Sequence, residues 1–197
     1  MHLVTPSTLR LDARALRVLA HPLRARLLSA LRTAGPATAT RLAERLGTNT
    51  GATSYHLRAL AAVDLVEEEP GRGTARERWW RAAQDAHSWG EDDVEEAGPD
   101  AVAAVGWLRR HYWSAFAEQA QVWEAVREQW PPAWRAETGL DDALVQVTAE
   151  ELGELRRELL AVLHRYHRPG ADRAGVRTVS VHVHAMPLPS DPPPDAP

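Results

Sequence analysis

The residues with the most chemistry to offer lie in two short stretches. Asn49, Thr50, Gly51, Ser54, Tyr55, His56 and Arg58 fall within ten positions, and Arg72, Arg76 and Arg78 within seven more. Hydroxyl, amide and imidazole groups beside arginine can address base edges and phosphate oxygens. A guanidinium forks onto a guanine edge or grips a phosphate, and glycine permits close approach of a backbone. Double-stranded DNA is the partner such a set would take.

Four histidines form a second candidate group. His182 and His184 would project from one face of a strand, and His164 and His167 sit near the end of the helix before it. Imidazole suits zinc or nickel, so a metal-responsive protein is an alternative. Solvent-facing histidines on a strand explain the same letters, and no metal site is assigned. Catalysis has less support. There is no His-Glu-x-x-His pattern, no phosphate-binding glycine loop and no nucleophile elbow, so no enzyme activity and no cofactor are expected. Cysteine is absent, which excludes disulfides, thiolate metal sites and cysteine nucleophiles.

The elements that must position the first group are two short helices and a hairpin. Thr38 to Leu46 has Leu42, Ala43 and Leu46 at helical spacing, and Gly47 ends it. Asn49 is the N-cap of a second helix that turns Thr53, Leu57, Leu60 and Ala61 inward. Gly51, Tyr55, Arg58 and Ala62 then point outward, with Ser54 and His56 on the flanks. Two charged strands follow, residues 66–69 and 76–81, split by Pro70-Gly71-Arg72-Gly73-Thr74, which is strong turn chemistry. A helix-turn-helix followed by a basic hairpin is a winged helix.

Three landmarks together are specific. They are Ala20-His21-Pro22-Leu23-Arg24-Ala25-Arg26-Leu27-Leu28, then Thr53-Ser54-Tyr55-His56-Leu57-Arg58-Ala59-Leu60, then a Gly71-Arg72-Gly73 wing closing on Arg78-Trp79-Trp80-Arg81. Over roughly residues 12 to 82 the chain resembles the ArsR family of bacterial winged-helix regulators. The resemblance implies a cytoplasmic, homodimeric repressor that binds operator DNA. A small-molecule effector is left open, and the family's cysteine-based metal sensing does not transfer to a chain without cysteine. Val63-Asp64-Leu65 departs from the family's usual Ala-Gly-Leu, placing Asp where glycine would take a left-handed helix stop. A winged helix used only for protein contacts would keep the fold and drop the DNA; Arg58, Arg72, Arg76 and Arg78 on one face argue against it.

Charge supports the same division. The net charge is −4. Residues 1–82 carry thirteen arginines against seven carboxylates, which leaves +6 for the region expected to meet phosphate. Residues 83–197 carry ten against twenty, which leaves −10. All basic residues are arginine and alanine is abundant, as in the codon usage of a GC-rich bacterium. No apolar run approaches the roughly 18 residues of a membrane span, and no signal-peptide core is present, so a cytoplasmic protein without membrane contact is expected.

The expected fold class is mainly α with a small β component: a winged helix-turn-helix, a long helix and a small α/β C-terminal unit. Helices over Leu11 to Leu19 and Pro22 to Leu31 precede the winged region, with His21 capping or packing at the break rather than serving as a ligand. The domain plan is residues 1–83 for DNA binding, 84–99 as an acidic solvated linker, 100–186 for dimerisation and sensing, and 187–197 as a proline-rich tail. Met1 to Leu9 are read as frayed. Asp100 to Gln129 forms one amphipathic helix, whose Val105, Leu108, Tyr112, Val122, Trp123 and Val126 are assigned to a dimer interface. Trp107, Trp113 and Trp130 widen that surface, and an aromatic ligand pocket is its other reading. A strand over Ala143 to Val147, a helix opened by the capping box Thr148 to Glu151, and a strand over Val176 to Ala185 complete the C-terminal unit. That helix is expected to turn Leu152, Leu155, Leu159, Leu163 and Tyr166 inward.

Overall fold

The computed structural model describes residues 8–69, 71, 77–166 and 175–190. They fall into two compact units divided between Gly139 and Leu140. The N-terminal unit begins with strand β1 (Thr8–Arg10), helix α1 (Ala13–Leu19), helix α2 (Pro22–Ala34) and strand β2 (Ala37–Thr38). Helices α3 (Ala39–Leu46) and α4 (Thr50–Ala61) follow, then strands β3 (Val66–Glu68), β4 (Trp79–Ala82) and β5 (Ala86–Ser88). Helix α5 (Glu91–Glu96), the long helix α6 (Pro99–Val126), a 3-10 turn at Arg127–Gln129 and helix α7 (Pro132–Ala136) complete it.

Each early helix starts where a side chain takes up an amide left free by the first turn. Asp12 Oδ1 accepts from Ala15 N at 2.7 Å, and His21 Nδ1 accepts from Leu23 N at 3.2 Å. His21 is therefore the N-cap of α2, with Pro22 in the first turn. Strands β2, β4 and β3 form an antiparallel sheet in that order, and β1 pairs with β5 in parallel. Leu16, Leu19, Leu27, Leu28, Leu42, Leu57, Leu60 and Leu65 fill the core beneath.

Three expectations change here. Residues 8 and 9 are not frayed, because β1 pairs Thr8 with Ala86 and Leu9 with His87. Residues 84–99 are not a solvated linker. They hold β5 and α5, Val94 is buried in the core, Trp89 packs against it, and Arg10 Nε donates to Asp93 Oδ2 at 2.9 Å. The acidic residues occupy the outer side of a short helix whose single valine anchors it, which an average over composition conceals.

The third change concerns α6. Ala101, Ala104, Val105 and Leu108 are buried in the same core as α1 and α5, and Tyr112 packs against it. Val105, Leu108 and Tyr112 thus spend their apolar surface within their own unit and are not dimer contacts. Burial ends at Leu108, although the helix runs on for about five more turns. Val122 is 58% exposed, and Trp123 and Val126 are partly covered. Trp123, Trp130 and Trp134 meet edge to face, with centroids 5.6 and 5.7 Å apart in turn.

The C-terminal unit contains helix α8 (Ala149–Tyr166). The capping box forms as its residue types require: Glu151 N donates to Thr148 Oγ1 at 3.2 Å, and Thr148 N donates to Glu151 Oε2 at 2.7 Å. Those bonds, with the Thr148 backbone contribution first, hold the Glu151 carboxyl below its usual range. No residue of α8 is buried, so Leu152, Leu155, Leu159, Leu163 and Tyr166 do not make an inward stripe. Residues 143–147 and 176–185 are not strands either. Alternation supplies a face, but a strand also needs a neighbour for its amides and carbonyls, and among the described residues neither segment is paired.

Candidate nucleic-acid interface

The α3–α4 pair is held by local hydrogen bonds that its sequence dictates. Thr38 Oγ1 accepts from Arg41 N at 3.3 Å and caps α3. Gly47 stops that helix at φ +64°, a conformation glycine adopts without a Cβ penalty. Two residues later Asn49 Oδ1 accepts from Ala52 N at 2.8 Å. Thr53, fully buried, donates its hydroxyl to Asn49 O at 3.0 Å, so the first turn of α4 is fixed from inside and outside. Leu57 and Leu60 continue the inner face with no exposure.

The outer face of α4 then follows from helical period. Gly51, Tyr55 and Arg58 are exposed, and Tyr55 has 60% of its surface in solvent. Thr50, Ser54 and Arg58 form one wall of an open cleft of about 390 Å³. Glu77 and Arg78 just before β4, Trp80 on it, and Thr38, Ala39 and Thr40 complete the lining. First-turn residues of both helices, Ala39 and Thr40 of α3 and Thr50 of α4, line this space. Arg58, Arg78 and four hydroxyls supply donors toward this space, against the Glu77 carboxylate that lines it and the Glu68 carboxylate that holds Arg78. Donors of this kind suit an anionic backbone.

The wing is braced against this frame. Arg41 of α3 lies over the Trp79 ring at 4.8 Å, joining helix and hairpin through a cation–π contact. Arg81 pairs with Glu67 at 2.6 Å and Glu69 at 3.3 Å, and Arg78 pairs with Glu68 at 2.9 Å. Arg72 and Arg76, assigned to DNA contact by their place in the wing, lie outside the described residues.

Of the expected contact residues, the structure brings Thr50, Ser54, Arg58 and Arg78 to one cleft and leaves Gly51 and Tyr55 on the neighbouring exposed face. Asn49 commits its carbonyl oxygen to the cap, leaving its amide nitrogen for an outside partner. His56 is the exception. It turns back onto α2, its ring 4.5 Å from that of His21. Loss of water first, then His21 and Arg24, hold its basicity below the usual value. The half-buried ring is a joint between α4 and α2. Thr38 and Thr40 were missed because helical periodicity marks faces, not which helix ends open toward a groove.

A second polar group joins distant parts of the unit. Arg32 Nη1 donates to His87 Nδ1 at 2.6 Å, and its Nε donates to Gln84 O at 3.2 Å. With Nδ1 accepting, His87 carries its proton on Nε2 and donates to Tyr112 Oη at 2.7 Å. Burial and then Arg32 push His87 down to about 3, and burial pushes Tyr112 up to about 12. The network ties α2, β5 and α6 together. No sequence spacing announces it, because its members are far apart in the chain. Of the other histidine group, His182 and His184 stack at 6.3 Å on the C-terminal segment, and His167 lies outside the described residues. Among the described residues no three potential ligands cluster.

Residues 19–69 match the family model of a helix-turn-helix domain. Among solved structures, the chain is similar to Mb0332 from Mycobacterium bovis, a homodimeric winged helix-turn-helix DNA-binding domain and possible ArsR-family transcriptional regulator. The identity is 28%, over 43% of this chain and 69% of that one, with a TM-score of 0.32. A possible transcriptional regulator for arsenical resistance is also 28% identical, over 51% of this chain and 84% of that one, at 0.32. RV1404 from Mycobacterium tuberculosis is 18% identical, over 81% and 84% of the two chains, at 0.31. No curated protein matches the sequence. The matched segment, from Leu19 to Glu69, holds the α3–α4 helix pair, and the antiparallel pairing of β3 with β4 adds the wing of a winged helix-turn-helix fold.

Proposed function

We propose that this protein is a sequence-specific, homodimeric DNA-binding regulator that represses transcription in the bacterial cytoplasm. The observation that carries the reading is the donor-lined cleft between α4 and the wing, which brings Thr50, Ser54 and Arg58 to Arg78. Helix α4 enters the major groove with Gly51, Ser54, Tyr55 and Arg58 toward the bases. Asn49 and Thr50 at its start, and Arg72, Arg76 and Arg78 of the wing, hold phosphates. Arg58 Nε rests on Ser54 O at 3.2 Å, a weak exposed contact that a guanine edge or phosphate replaces.

Dimerisation follows from information content. One such helix reads only a few base pairs, and two related by a dyad reach useful specificity. The distal part of α6, with Val122, Trp123 and Val126, is the surface we assign to the partner copy. Repression is then occlusion: a dimer over a promoter excludes the polymerase. Among the described residues, no helix is long and apolar enough to cross a membrane. The test is binding to random and selected duplexes across a salt series. A repressor of this kind binds both, loses affinity as salt rises, and prefers the selected site by about 10³-fold or more. A protein-contact module would show no salt-dependent affinity for duplex.

A further inference from the structure

The two arginines of the cleft are held differently. Arg58 leans on its own helix, whereas Arg78 donates to the Glu68 carboxylate at 2.9 Å. Strand alternation shows what this means. In the β3–β4 ladder Glu68 stands opposite Trp80 and Glu67 opposite Arg81. Arg78 and Trp80 both line the cleft, Glu68 lies on the same side of the ladder as Trp80, and Glu67 and Arg81 lie on the other. On that other face Arg81 is gripped by two carboxylates, at 2.6 and 3.3 Å, and braces the hairpin. Among the described residues Arg78 has one, and the side chains of that pair are 70% and 53% exposed. The run of three acids after Val66 thus answers the arginines of both faces, in two different ways.

We infer that Glu68 occupies, in the free protein, the place that a DNA phosphate takes in the complex. The wing engages DNA by exchanging carboxylate for phosphate at Arg78, and Glu68 sets how tightly the protein holds non-specific duplex. The inference rests on the DNA-binding reading above. Carboxylate and phosphate present the same anionic oxygens to the guanidinium fork, so one can stand in for the other. An exposed pair is weak, so the exchange is quick and reversible. It is not free, because Arg78 gives up a partner and Glu68 is left bare beside the phosphates. Glu67 carries the same charge, but it faces away and is committed to Arg81.

The experiment uses the full chain, a random-sequence duplex and a salt series. Glu68→Gln should tighten binding about two- to fivefold at low salt, the range of a surface ion pair. The log–log salt slope should stay the same, because the same phosphates are neutralised in both proteins. The gain should vanish when Arg78 is already alanine, and Glu67→Gln should give none. Unchanged or weaker binding by Glu68→Gln would overturn the inference. So would a full gain in the Arg78→Ala background, since that is general charge repulsion rather than exchange. A wild-type protein without salt-dependent duplex binding would instead bring down the DNA-binding reading, and the exchange with it.

Discussion

Asp64 shows how one side chain can be judged in advance. It sits after α4 at φ +56°, the one non-glycine residue at positive φ among those described. The left-handed conformation costs an L-residue roughly 1–2 kcal/mol, less for Asp than for most. Asp64→Gly should therefore raise stability by up to about 1 kcal/mol, read from urea unfolding; a loss would mean that the carboxylate has a role that its φ does not reveal. His87 makes a second prediction at this scale. Folded, it titrates at about 3, whereas its unfolded value is near 6.5. Between those limits the unfolded chain holds the extra proton, so stability rises with pH. The contribution is complete above about pH 6.5 and is lost as pH falls toward 3. Its slope approaches about 1.4 kcal/mol per pH unit. Unfolding curves between about pH 4.5 and 7 should be flatter for His87→Asn than for wild type; equal slopes would remove His87 as the source.

Among the elements, those with local signals were legible. Gly47, Asn49 and the Thr148–Glu151 box each fix a helix end through bonds to residues three or four away, and Pro22 does so through its fixed φ in the first turn of α2, so their letters suffice. Strands β1, β2 and β5 were not legible. Two or three residues carry no period, and the partner of β1 lies at Ala86, beyond any local window. Helix α6 was half legible: its stripe shows that a face is covered but not by what. The structure gives Val105 and Leu108 to the unit's own core. Leu108→Ala should thus cost about 2–5 kcal/mol of unfolding free energy through the cavity it leaves. A folded variant of full stability, changed only in its state of association, would restore Leu108 to an interface.

At the scale of the molecule, the expected domain boundary moved from the acidic stretch to Gly139, because the winged helix and the first turns of α6 share one core. That sharing gives the distal half of α6 a fixed base in the DNA-binding unit. Polar replacement of Val122 and Val126 together should leave a folded, largely monomeric protein with weak, salt-sensitive affinity for any duplex. Sedimentation at micromolar concentration checks this, and a variant that remains dimeric places the interface elsewhere. The candidate site was legible where it depended on α4 and illegible where it depended on neighbours: nothing in the spacing of His56 says that His21 lies 4.5 Å away.

If α4 reads sequence through Arg58 as part of a two-fold dimer, selection from a random duplex pool by wild type and by Arg58→Ala will show it. Wild type should enrich a site with two-fold symmetry, its half-sites about one helical turn apart or a multiple of it. Arg58→Ala should bind that site more weakly, by about 1–3 kcal/mol for each base the guanidinium no longer grips, and should relax preference at one position in each half-site. Failure of the wild type to enrich a symmetric site, or an identical preference with Arg58 replaced, would contradict the account.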